Sequence, residues 1–155
     1  MSGAAADPVL CSVDERGVAR GTRKRPEGYN AYNGELIAAL LKIYDRLAAK
    51  SPRAVVLTGS GRNFIAGADI KWLDAVRRSS PEEHLRASRM TAEAVQRLNL
   101  IPVPTVALVQ GACYGGGTGI ISACDVVIAA DNAHFSIAEG RIVVAGTIIN
   151  PQLND

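Results

Sequence analysis

Three short, mainly apolar runs constrain this chain more than any other feature: Ala54-Val55-Val56-Leu57-Thr58, Thr105 to Gln110 and Val126 to Ala130. A strand with one wet face alternates apolar and polar residues, so a continuous run reads as a strand covered on both faces. Between the runs the period changes. Leu36, Ile37, Leu40, Leu41, Tyr44, Leu47 and Ala48 recur at helical spacing behind Asn33, a residue suited to cap the helix. Ser80-Pro81-Glu82-Glu83 combines a capping serine, proline at the first helical position and glutamate three after the cap. That helix is predicted to run to about Leu98, where Pro102 and Pro104 follow as stops. Asp69 to Arg78 reads as a helix and Gly117 to Ala123 as a short one, with a turn at Asp131-Asn132. At the N-terminal end, Val9 to Asp14 reads as a strand with Gly17 to Arg25 as its hairpin partner. Gly21, Arg23, Lys24 and Arg25 leave that partner almost no apolar face, which predicts a weak strand. Buried strands alternating with helices make this an α/β layer architecture.

Length and charge narrow the function. A chain of 155 residues suits one domain, 1–155, and no linker or repeat divides it. Lys plus Arg is 17 against 15 for Asp plus Glu, a net charge of +2, and aromatics are 5%. A duplex-binding face needs a larger basic excess, and a base-stacking platform needs more aromatics. No nucleic-acid partner is therefore expected. Cys11, Cys113 and Cys124 are odd in number and lack C-x-x-C spacing, which fits a reducing compartment. Met1 to Val9 has no signal-peptide pattern. The most apolar stretch, Leu100 to Ala130, is broken by Pro102, Pro104, Gln110, glycines and Asp125, so no membrane span is expected. His84 and His134 lack ligand spacing, and no metal site is expected. The reading is cytoplasmic.

Three constellations could carry chemistry. The first is Gly59-Ser60-Gly61-Arg62-Asn63-Phe64-Ile65-Ala66-Gly67-Ala68-Asp69, between a strand and a helix. Phe64 stands where a dinucleotide fingerprint needs glycine, and no G-K-[ST] follows, so neither nucleotide motif is present. What remains is a bend of small residues, Ala66-Gly67-Ala68, able to aim backbone N–H groups at an anion or a polarised carbonyl. The second runs from Gly111 to Gly119, with five glycines in nine positions: 111, 115, 116, 117 and 119. Glycine is required where backbone approaches something closely or takes a positive φ, and close packing of a helix on a strand would require it too. The third is Glu139 after Phe135-Ser136-Ile137-Ala138, which becomes chemical only if it faces the other two loops.

Together these blocks resemble the crotonase superfamily, the enoyl-CoA hydratase/isomerase fold. Arg25-Pro26-Glu27-Gly28-Tyr29-Asn30-Ala31 looks like the family's R-P-x-x-x-N-A, and Ala54 to Lys71 is close to its consensus. Pro102 to Ala107, Gly111 to Gly119, Ala123 to Ala129 and Phe135 to Glu139 follow in the family's order and spacing. The resemblance implies repeated ββα units and hydration of a 2-enoyl-CoA thioester. The backbone N–H groups of Ala68 and Gly116 would be the oxyanion donors and Glu139 the acid/base. Ala66, Asp69, Ile70, Lys71 and Gly115 would line the CoA region, flanked by Glu27 and Tyr29. CoA is part of the substrate, and no separate cofactor is implied. Hydratases of the family commonly use two carboxylates; the first falls at Gly119 here, leaving Glu139. Family members continue well past a length of 155 residues, so the resemblance implies a partial domain lacking its C-terminal helices. Oligomers, a trimer or a dimer of trimers, are implied as well. Isomerisation, thioester hydrolysis or CoA-thioester binding without turnover are the alternatives.

Overall fold

A ββα unit repeats along the chain, and its repetition builds two sheets side by side. The computed structural model describes residues 8–24 and 26–137. In chain order the elements are β1 (Val9–Val13), β2 (Val18–Arg23), a single 3-10 turn (Pro26–Gly28), α1 (Gly34–Lys50), β3 (Ala54–Gly59), β4 (Ile65–Ala66), α2 (Ile70–Arg77) and α3 (Pro81–Asn99). Then come β5 (Thr105–Val109), β6 (Ala112–Tyr114), α4 (Gly116–Ser122), β7 (Val126–Ala129) and β8 (His134–Ser136). Both strands of the first unit lie in a five-stranded sheet of order β1-β2-β3-β5-β7; in the later units the first strand joins that sheet and the second joins a three-stranded sheet of order β4-β6-β8. Among the described residues only β1 is antiparallel to its neighbour; the crossovers make the other pairings parallel.

The helices form where caps and periodicity place them. Asn33 Oδ1 accepts from the Leu36 N–H at 3.0 Å and starts α1, and Ser51, with φ 44°, ends it. The stripe of α1 buries Leu36, Ile37, Leu40, Ile43, Tyr44 and Leu47. Burying each aliphatic side chain stabilises by about 1.5–3 kcal/mol, so this helix anchors the core. A capping box opens α3: the Glu83 N–H donates to Ser80 Oγ at 3.2 Å, and the Ser80 N–H donates to Glu83 Oε2 at 3.3 Å. Only its last turns bury residues, Ala94, Val95 and Leu98, while His84 is exposed.

Three expectations need correction. β2 is not a weak strand: it pairs with β1 on one edge and with β3 on the other, from Val18↔Ala54 to Arg23↔Gly59. Pairing on both edges holds it despite its poor apolar face. β3 and β5 are not equally covered on both faces, because Val55, Leu57, Thr105, Ala107 and Val109 are buried while the residues between them are half-buried. β7 is exposed throughout, because it is the edge of its sheet and no strand lies beyond it among the described residues.

Candidate functional site

The small sheet is what brings the two glycine loops together. β4 and β6 are parallel, with Ile65 opposite Cys113 and Ala66 opposite Tyr114. Gly67 and Gly115 each follow the last pair by one residue, and Ala68 and Gly116 by two. Gly67 and Gly115 both take positive φ, 94° and 52°. Both strands therefore break at equivalent positions, with glycines that tolerate the left-handed side. Immediately after each break stands one of the two expected donors.

The direction of each donor follows from peptide planarity, since a trans peptide points its N–H opposite to its C=O. The Gly67 carbonyl accepts from the Tyr32 N–H at 2.9 Å, so the Ala68 N–H is turned to the side away from Tyr32. The Gly115 carbonyl accepts from the N–H groups of Thr118 at 2.8 Å and Gly119 at 3.3 Å, inside α4. The Gly116 N–H consequently points out of that helix. Ala68 and Gly116 are half-buried, which leaves room for a ligand atom.

Glycine is required here for more than one reason. A Cβ on Gly116 would stand 2.5 Å from Tyr32 Cε1 and 2.8 Å from its Cζ. A Cβ on Gly117 would stand 2.9 Å from Ile65 Cβ, so that glycine serves close packing of α4 on β4. Tyr32 also meets the Trp72 indole edge-on, with ring centroids 5.9 Å apart.

A third segment closes the far edge of β4. The Ala66 N–H donates to the Tyr29 carbonyl at 3.1 Å, and the Asp69 N–H to the Tyr32 carbonyl at 2.8 Å. This places Tyr29, 63% exposed, beside the loop that leads to Ile70, 75% exposed. Glu27 and Lys71 are exposed, Ala66 is half-buried and Gly115 is buried. Asp69 Oδ1 accepts from the Trp72 N–H at 3.1 Å, so its carboxylate caps α2. Glu139 lies outside the described residues; β8, three positions before it, pairs Ser136 with Tyr114.

Sequence reasoning missed the amides that hold these loops. Buried Asn30 donates through Nδ2 to the carbonyls of Ser60 at 2.8 Å and Asn63 at 2.7 Å. Asn63 Oδ1 accepts from the Ala112 N–H at 2.9 Å, joining the first loop to β6. Gln110 Nε2 donates to the Gly59 carbonyl at 2.7 Å. The available signal was Gln110 itself, a polar residue ending an apolar run.

Nothing near the loops is poised as a thiol nucleophile. Burial pushes the Cys113 thiol up to about 11, with the nearby Arg23 charge pulling the other way. Among the described residues no cluster of His, Cys, Asp or Glu could hold a metal ion, and no helix is long and apolar enough to cross a membrane. A cleft of about 370 Å³ between α1 and residues 97–103 lies at the opposite end of β3 and β5 and touches none of these groups.

Residues 14–151 match a family model described as enoyl-CoA hydratase/isomerase. The chain is 36% identical over 126 residues to a candidate enoyl-CoA hydratase of Thermus thermophilus, covering 81% of this chain and 50% of that protein. It is also 36% identical over 131 residues to 4-chlorobenzoyl coenzyme A dehalogenase-1 of an Arthrobacter species, covering 83% and 48%. Among solved structures, an enoyl-CoA hydratase from Shewanella pealeana superposes with a TM-score of 0.91 at 28% identity, over 95% of this chain and 56% of that one. The chain thus spans about half the length of the curated relatives it matches.

Proposed function

The chain belongs to the enoyl-CoA hydratase/isomerase family, and on that premise we propose that it adds water to a 2-enoyl-CoA thioester, with the N–H groups of Ala68 and Gly116 as its oxyanion hole. The observation that supports this reading most is the shared break of β4 and β6. Each of these two residues directly follows a positive-φ glycine and stands two positions past the last β4–β6 pair. Donors fixed in a backbone need no reorganisation as charge develops, and one of them is worth about 3–4 kcal/mol in the transition state.

In this mechanism Glu139 takes a proton from water as the water oxygen bonds to the β-carbon. The electron pair of the double bond moves through the α-carbon onto the thioester oxygen, giving an enolate between Ala68 and Gly116. Glu139 then returns the proton to the α-carbon, and the product is the 3-hydroxyacyl thioester. Gly119 supplies no second carboxylate, so one acid/base serves both steps. Exposed Tyr29 and Ile70 form a rim suited to the adenine of CoA, with Lys71 beside it for phosphate. No cofactor beyond the substrate's own CoA enters this reading, and the assembly it implies is a homo-oligomer, a trimer by family likeness, in the cytoplasm.

The relative named as a 4-chlorobenzoyl coenzyme A dehalogenase favours a second reading, in which the same loops serve another CoA-thioester reaction; binding without turnover is the further alternative. Loss of a 2-enoyl-CoA chromophore, followed beside calorimetric binding, separates hydration from both. Hydration is expected for the wild-type chain. Glu139→Gln is expected to bind equally and turn over about 10²–10⁴-fold more slowly, and folded Gly116→Val to lose thioester affinity. Binding without hydration selects the second reading or the further alternative, and unchanged affinity in Gly116→Val rejects all three.

A further inference from the structure

The segment between the 3-10 turn and α1 touches both donor loops through one residue, Tyr32. Its backbone holds the first loop on either side of Ala68. The Tyr32 N–H donates to the Gly67 carbonyl at 2.9 Å, and the Tyr32 carbonyl accepts from the Asp69 N–H at 2.8 Å. Tyr32 and Ala68 thereby form a parallel bridge. Its side chain reaches the second loop. A Cβ on Gly116 would stand 2.5 Å from Cε1, 2.8 Å from Cζ and 3.1 Å from Oη of Tyr32, so the far end of the ring packs directly on the Gly116 α-carbon. Trp72 backs the ring edge-on, with centroids 5.9 Å apart. Trp72 is itself confined: its N–H donates to the Asp69 cap, and a Cβ on Gly34, at the start of α1, would stand 3.2 Å from its Nε1.

Resting on the oxyanion-hole reading of Ala68 and Gly116, we propose that Tyr32 is a positioning residue that sets the spacing of the two donors. Gly115, Gly116 and Gly117 follow one another, and glycine backbone is conformationally permissive. The bonds from Thr118 and Gly119 to the Gly115 carbonyl fix the tilt of the Gly116 N–H. Gly116 has no side chain to fix its position sideways, and the Tyr32 ring does this from outside. The backbone of the same residue grips the Ala68 loop, so one rigid side chain ties the two donor segments together. Spacing matters here because a misplacement of about 1 Å costs about 10²-fold in rate. The contact also accounts for glycine at position 116, since the ring occupies the space a Cβ would need.

The test reads the thioester carbonyl as well as turnover. Bound butanoyl-CoA, isotope-labelled at that carbonyl, reports hydrogen bonds to its oxygen as a lowered infrared stretching frequency, and a saturated thioester is not hydrated. The wild-type chain is expected to lower the frequency. Tyr32→Ala removes the ring and keeps the backbone bonds. The shift is then expected to shrink and kcat for a 2-enoyl-CoA to fall about 10–10²-fold, with KM and free-CoA affinity little changed. Tyr32→Leu lacks the ring atoms that meet Gly116 and is expected to act in the same direction, which covers the case that alanine unfolds the chain. Tyr32→Phe keeps Cε1 and Cζ and is expected to retain the wild-type shift and rate. A folded Tyr32→Ala or Tyr32→Leu protein with the full shift would overturn the proposal and leave the oxyanion hole standing. Tyr32→Phe as impaired as Tyr32→Ala would overturn it too, by assigning the effect to the hydroxyl. No lowering in the wild type would remove the oxyanion-hole reading, and this proposal with it.

Discussion

Asn30 holds more of the site than its position in an exposed turn implies. It is 1% exposed, takes φ 55°, and donates to two backbone carbonyls that belong to the loop before β4. Asparagine tolerates the left-handed region because its side chain hydrogen-bonds locally. Alanine would lose both bonds, leave two carbonyls short of a partner and strain the backbone. Asn30→Ala is therefore expected to cost about 2–4 kcal/mol and to loosen the loop carrying Ala68. Denaturant unfolding measures the first effect, and thioester affinity the second. An Asn30→Ala protein as stable as wild type would remove this residue from the account.

At the scale of elements, the sequence was legible where a period or a cap was long enough to see. Asn33 and Ser80 each cap the helix that follows them, and the long strands fall where the apolar runs lie, whereas Asp69, read as the start of a helix, is the cap of α2. The small sheet was not legible. Its strands span two or three residues each, too few for alternation to show, and their partners lie about 48 and 22 residues away in the chain. Yet it is this sheet that joins the two strands leading into Ala68 and Gly116; the glycines announced the loops but not that pairing. Asp125 was read only as a break in an apolar stretch, and its role is a clamp between β5 and β7. Its Oδ2 accepts from the Thr105 N–H at 2.7 Å and Oγ1 at 2.8 Å, while its own N–H donates to Thr105 Oγ1 at 3.0 Å. The Thr105 backbone bond, and next its hydroxyl, hold this carboxyl below the usual carboxylate range. The unfolded chain therefore binds the proton more readily. The clamp's stabilisation is fully present above the unfolded value of about 3.9 and is lost as pH falls through the lower folded value. Asp125→Asn should be less stable than wild type at pH 6, and the gap should close as pH drops toward 2. A gap that stays constant across denaturation curves in this range would show that Asp125 does not titrate in this way.

The whole molecule divides into a well-covered half and a bare one. The N-terminal hairpin, expected to be the weak point, is paired on both edges of β2 and packed beneath α1. The bare part is where β7 and β8 end their sheets. Val126, Val127 and Ile128 are 47%, 41% and 56% exposed, and Phe135 and Ile137 are each 49% exposed. Among the described residues β7 also has no strand on its outer edge, and an open strand edge is the feature most apt to template pairing with another chain. Apolar surface gathered at an open edge drives association, since its burial gains free energy in proportion to area. We therefore expect the 155-residue chain to self-associate at micromolar concentration. Ile128→Lys together with Phe135→Lys, both on exposed positions, is expected to shift it toward monomer at little cost to folding, because neither side chain belongs to the buried core. Light scattering with a parallel thermal melt decides the matter. A wild-type chain that is a monodisperse monomer with a sharp transition would mean that these strands need no cover. A lysine pair that leaves the oligomer intact would place the contact on another face.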